Sequence, residues 1–271
     1  MRGDTAPEGT RQHGRLRLSF GRRGGGTALV GRYASAPFGA VRANHPDGGM
    51  PEVQVTNPSG GILGGDNLEA NVDLTPGSSA TVLTQAANKA YRGEVASQTT
   101  ILSVGEGAFL EYLPHHLIPY AGSNYLQETT FHLAPDATLL AWDAFSAGRV
   151  ARGERFAFDR LRARTSILRD RVPEVMDGLD LGGGGERFGG YSYTAAIYVL
   201  APRDLGPLAE ELHGLLAGLS GALASASAPA PGLCAARVLT TGAPELYRAL
   251  NGVRALVRKS IGLPAPAREV T

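Results

Sequence analysis

Cysteine is nearly absent from this chain of 271 residues; Cys234 is the only one. No disulfide can close within the chain, and a thiolate-rich metal site is excluded. Cys234 lies in the apolar stretch 233–239 and reads as a buried structural thiol. Lysine is almost as scarce, at 89 and 259 alone, so arginine supplies all but two of the 26 basic residues. Neither sign of charge is in excess. A formal net charge of +1 gives no electrostatic footing for nucleic acid or an anionic membrane. No apolar run approaches the roughly 18 residues of a membrane span. Residues 1–14 are polar and charged, without the apolar core of a secretory signal, and are expected to form a flexible tail. The chain is expected to be soluble and cytoplasmic.

Catalytic signatures are lacking as well. There is no Gly-x-Ser-x-Gly elbow and no His-Glu-x-x-His pair. The run Asn57-Pro58-Ser59-Gly60-Gly61-Ile62-Leu63-Gly64-Gly65-Asp66 has the glycines of a phosphate loop but not its Lys-Ser/Thr, and Asp66 would repel a phosphate. His115 and His116 are adjacent, so in an extended segment their side chains point apart and do not share a metal. They read as loop residues between Pro114 and Pro119. The arginines of 149–171 are interleaved with Glu154, Asp159 and Asp170, a solvated strand surface rather than a nucleic-acid stripe.

What is present is alternation. Leu16, Leu18 and Phe20 alternate with polar residues, as do Leu68, Ala70, Val72 and Leu74. Period two of this kind marks strands with one buried face. Similar segments follow at 80–84, 99–104, 108–113, 127–133, 138–143, 155–158, 161–168 and 193–200, separated by turns such as Thr75-Pro76-Gly77 and Ala134-Pro135-Asp136. The fold class is therefore expected to be mainly β, strand-rich over 15–200. Two amphipathic helices are predicted further on. Leu208, Leu212, Leu215, Leu216 and Leu219 share one face after Asp204, and Leu246, Leu250, Val253, Leu256 and Val257 share another between Pro244 and Gly262. Between them, 225–231 reads as an Ala/Ser/Pro linker before one strand, giving a helix-strand-helix region over 204–262.

Five ordered motifs carry a family resemblance. After the 57–66 run come Leu83-Thr84-Gln85-Ala86-Ala87-Asn88-Lys89-Ala90-Tyr91-Arg92, then Leu110-Glu111-Tyr112-Leu113-Pro114 with Leu117-Ile118-Pro119-Tyr120-Ala121-Gly122-Ser123. Leu140-Ala141-Trp142-Asp143 and Gly148-Arg149-Val150-Ala151-Arg152-Gly153-Glu154-Arg155-Phe156 complete the set. In this order they resemble the urease accessory protein UreD (UreH) family, over residues 15–271 as one domain. The resemblance implies an elongated β fold with helix-like winding and helices to one side. It also implies a non-enzymatic scaffold that binds UreF, which recruits the GTPase UreG, the whole docking on apo-urease to deliver nickel. No tightly bound cofactor is implied, only Ni²⁺ in transit through an internal channel.

The family's channel positions fall on Asp66, Asp143, Asp177 and Asn88, where the family often has Ser at the last. The residue chemistry agrees. A conduit must release its ion, and carboxylates exchange a divalent cation more readily than clustered imidazole or thiolate would. Two other readings stay open on the residues alone. One is a carboxylate-based hydrolase built on Asp66 and Asp143; the other is an interaction module in which these Asp side chains only cap turns.

Overall fold

The structure, a computed structural model, describes residues 11–39, 41–46 and 49–271. Residues 1–10, most of the expected tail, lie outside the described residues. Strands are β1 (His13–Arg23), β2 (Gly26–Ala34), β3 (Ala43–Asn44), β4 (Glu52–Val55), β5 (Asn67–Leu74), β6 (Ser79–Thr84), β7 (Asn88–Ala90), β8 (Ala96–Val104) and β9 (Phe109–Leu113). They continue as β10 (Leu117–Pro119), β11 (Asn124–Leu133), β12 (Thr138–Ser146), β13 (Arg160–Arg169), β14 (Val172–Gly182) and β15 (Tyr193–Leu200). Helix α1 (Gly206–Ala217), β16 (Ala222–Ala230), β17 (Leu233–Thr240) and α2 (Ala243–Ser260) close the order.

The protein is mainly β and wound. From β5 to β13 the chain steps back and forth between two sheets, and each return lays a strand parallel to the last; β14 to β17 are then added antiparallel. One sheet runs β14-β13-β11-β8-β5-β1-β2, with β1, β5, β8, β11 and β13 all parallel. The other runs β16-β17-β15-β12-β9-β6-β4-β3, with β4, β6, β9 and β12 parallel. Short strands β7 and β10 branch from the second sheet at β12 as a further parallel ladder. This is helix-like winding, as the resemblance implied. The Pro/Gly turns stack at one corner: Gly105 N–H reaches Leu74 O, Ala134 N–H reaches Val104 O, and Asp170 N–H reaches Leu133 O, all at 2.9–3.0 Å.

Period two decides what lies between the sheets. Leu16, Leu18 and Phe20 of β1 and Ala70, Val72 and Leu74 of β5 meet Leu110, Leu139 and Ala141 of the facing sheet. On β12 the alternate residues Leu140, Trp142 and Ala144 face outward, under the helices. There Leu208, Leu212 and Leu216 of α1 and Leu246, Leu250, Val253 and Val257 of α2 are buried at 6% exposure or less. Both helices thus spend their apolar faces on the second sheet, each side chain contributing about 1.5–3 kcal/mol of burial. Asp204 accepts the Gly206 N–H at 2.9 Å where α1 begins. Past α2, Gly262 adopts φ +75°, its N–H bonds Lys259 O and the Leu263 N–H bonds Arg258 O, a Schellman stop.

Two expectations are corrected, and one long strand is added. The segment 225–231 is not a linker: it falls largely in β16, an edge strand whose small Ala224 and Ala226 fit beneath the helices, with Pro229 at an irregularity in the ladder. Residues 155–158 are not a strand, because Phe156 turns at φ +51° and plugs a cluster with Phe158 and Phe188. Strand β14, unmarked by any turn signal, closes the first sheet.

Candidate functional site

Polar residues interrupt the apolar interior along one line. Through the parallel ladders, Thr100 of β8 sits beside Thr129 of β11 and Thr129 beside Thr165 of β13, and the antiparallel pairing of β13 with β14 sets Thr165 beside Asp177. Gln98 and Gln127 form a second, shorter row next to it. All three threonines are at most 4% exposed. Asp143 of β12 meets this row from the opposite sheet. Gln127 Nε2 donates to its Oδ1 at 2.8 Å, and Thr165 Oγ1 donates to its Oδ2. Burial lifts the Asp143 pKa above the ordinary carboxylate value, and the charge of Asp177 adds to that, against the two hydrogen bonds.

A cavity lies at each end of the row. The inner one, about 160 Å³, has apolar walls from Leu68, Val82 and Leu83, with Gln98, Thr100, Tyr112 and Asn88 as polar members. The outer one, about 80 Å³, is lined by Asp143, Thr165, Asp177, Tyr198 and Arg237 among others. Thr129, between the two, has a buried Oγ1 with no protein hydrogen-bond partner, and so does the Tyr125 hydroxyl. Burial raises the pKa of Tyr112, Tyr125 and Tyr198, and neighbouring negative charge raises it further in each, so they stay protonated donors. Asp177 takes Tyr198 OH and Arg237 Nη2 on Oδ2, and its neighbour Gly178 N–H on Oδ1.

The structure therefore brings Asp143 and Asp177 to one cavity and Asn88 to the other. Asp66 lines neither. It is 1% exposed, and its two oxygens accept the Gln12 N–H at 3.1 Å and the Leu63 N–H at 2.9 Å. These bonds pin the glycine turn to the start of β1, the geometry of a turn cap. The turn itself needs glycine: a Cβ on Gly64 would stand 2.6 Å from Gly93 Cα. The adjacent histidines His115 and His116 also resolve into structure. His115 bonds Thr84 Oγ1 and Thr271 O, and His116 Nδ1 bonds Tyr247 OH at 2.8 Å. Burial, reinforced by His115, pushes His116 down to about 4. Cys234, 1% exposed, is pushed up to about 11 by burial. Among the described residues no three His, Cys, Asp or Glu side chains gather into a metal cluster.

Thr165, Gln127, Tyr198 and Arg237 were not singled out from sequence. Gln127, Thr129 and Thr165 were detectable in principle, since each holds a polar group at an inward position of an alternating strand. A second missed group is charged and fully buried. Glu111 of β9 is 0% exposed and accepts Arg258 Nε at 2.7 Å, Arg258 Nη2 at 2.9 Å, Arg254 Nη2 at 2.8 Å and Thr81 Oγ1 at 2.8 Å. Arg254 and Arg258 stand one turn apart on the apolar face of α2, which was their sequence signal.

Two wound sheets enclosing an acidic, hydroxyl-bearing row define a β protein with a polar seam across its interior. The sequence pattern described as "UreD urease accessory protein" matches residues 12–271. The urease accessory protein UreD of Anaeromyxobacter sp. is 35% identical, over 94% of this chain and 90% of its own length. That named UreD 2 in Streptomyces griseus is 36% identical over 96% and 94%, and that of Cenarchaeum symbiosum 30% over 90% of each. The chain belongs to the UreD family of urease accessory proteins.

Proposed function

We propose that this chain is a non-enzymatic scaffold that passes Ni²⁺ to apo-urease in the cytoplasm, in a complex with UreF and UreG homologues. The observation that carries the reading is the row from Asn88's cavity through Thr100, Thr129 and Thr165 to Asp143 and Asp177. A divalent ion needs oxygen ligands spaced along its route and no deep well. Hydroxyls without protein partners inside a polar seam suit a hydrated passage. Asp143 and Asp177 are its stepping carboxylates, Asn88 a polar member near the far end, and Asp66 the residue that holds the glycine turn in place beside it. No helix among the described residues is long and apolar enough to cross a membrane.

The test replaces Asp143 and Asp177 by Asn, singly and together, in cells expressing the urease operon under limiting nickel. The complex with UreF and UreG should co-elute as before, while the nickel content of the purified urease falls. Fully loaded urease from the double variant would refute the conduit.

A further inference from the structure

The outer cavity already contains a cation. Arg237, on β17, has its side chain 53% exposed, and its Nη2 stands 2.6 Å from Asp177 Oδ2. Its guanidinium carbon is 5.7 Å from the centre of the Tyr198 ring. Asp177 is engaged on both oxygens, with the Arg237 and Tyr198 donors on one and the Gly178 N–H on the other. Asp143 receives only neutral donors, from Gln127 and Thr165. One guanidinium therefore faces two carboxylates across the cavity. A guanidinium and a divalent ion cannot share Asp177 Oδ2, and in a partly desolvated site they repel strongly.

We propose that Arg237 is a tethered counter-ion that holds Asp177 while the cavity is empty and swings to solvent when a divalent cation takes its place. The proposal rests on the conduit reading and assigns that route a gate. The exchange is inexpensive, because an ion pair this exposed contributes about 0–1 kcal/mol and the Arg237 stem is free on its solvent side. It also keeps the well shallow. As an ion leaves, Arg237 returns, so Asp177 is not left as a bare carboxylate beside Asp143 in the same cavity. Two carboxylates match one divalent ion in charge once the guanidinium has moved out.

The experiment titrates Ni²⁺ into the purified full chain by calorimetry and times its release to a chelator by stopped flow. Arg237→Gln should bind nickel up to about fivefold more tightly and release it more slowly, because the competing charge is gone. Arg237→Lys, which keeps the charge, should stay close to the natural chain, and thermal melting should not change in either. If Arg237→Gln binds and releases as the natural chain does, while Asp143→Asn and Asp177→Asn weaken binding, the counter-ion role is refuted and the conduit stands. If the two Asn variants bind nickel like the natural chain, this cavity is not a nickel site and both readings fall.

Discussion

Replacing Glu111 by Gln should be among the most destabilising single changes available in this chain. Glu111, Arg254 and Arg258 are each at most 2% exposed, so none of their charges is solvated by bulk water. Glu52, 4% exposed, remains as a further carboxylate, 3.9 Å from Arg254 Nη2. Gln keeps the shape but removes one negative charge from between two guanidinium groups, and turns an amide N–H₂ toward donors. Breaking a buried pair this way costs about 3–5 kcal/mol, a large share of the roughly 5–15 kcal/mol that holds a folded domain. At about 2–4 °C per kcal/mol for a chain near this size, the melting point should fall by on the order of 10 °C. The pH dependence carries its own sign. Burial alone would raise the Glu111 pKa, but the Arg258 and Arg254 hydrogen bonds and charges outweigh it and hold it below the ordinary value. A depressed folded-state pKa contributes stability above the unfolded value and loses it as pH falls through the folded one. The two melting curves should therefore converge in acid and separate toward neutrality. Urea unfolding at pH 7 that differs by under about 1 kcal/mol, the range of an exposed pair, would refute the reasoning. Glu111→Leu combined with Arg254→Met and Arg258→Met should recover most of the loss, since apolar replacement leaves no unpaired charge.

Asp143→Asn should act in the opposite sense on stability. Its folded-state pKa is raised, so the natural chain loses stability as pH rises through it, and the Asn variant does not. The variant should melt at the same temperature or higher, with the margin widening as pH rises from the ordinary carboxylate range through the raised folded-state value; a margin that narrows would contradict the assigned burial. Gly64→Ala places a Cβ 2.6 Å from Gly93 Cα, backbone against backbone. It should cost about 1–3 kcal/mol in denaturant unfolding, and an unchanged midpoint would show that the two loops separate freely.

Strand alternation was legible because hydrophobic residues recur at every second position wherever one face is buried, as in β1 and β5. Strand β16 was not, since Ala and Ser under a helix look like a linker when only polarity is counted. Phe156 and Phe158 mimic a strand for the converse reason: alternate aromatics can also plug a loop. Asp143 announced itself as a carboxylate in an apolar run beside Trp142. Arg237 did not, because nothing local says that an arginine on one strand will meet Asp177 on a strand of the other sheet. Such pairs are set by which strands the winding brings opposite each other.

The parallel ladders give the polar row an unusual dependence on arithmetic. Thr100, Thr129 and Thr165 line up only because successive coils deliver β8, β11 and β13 in matching register. Inserting one residue ahead of β11 would turn Gln127, Thr129 and Phe131 outward and bring their neighbours Glu128, Thr130 and His132 inside. A slip of two would keep every face but set Phe131 or Gln127 where Thr129 now stands, blocking or bending the line. Loops at the corners can vary freely only if they return the strand to the same rung. The winding thus works as a reading frame for the interior, and a change of length far from any carboxylate can interrupt the path as surely as removing one.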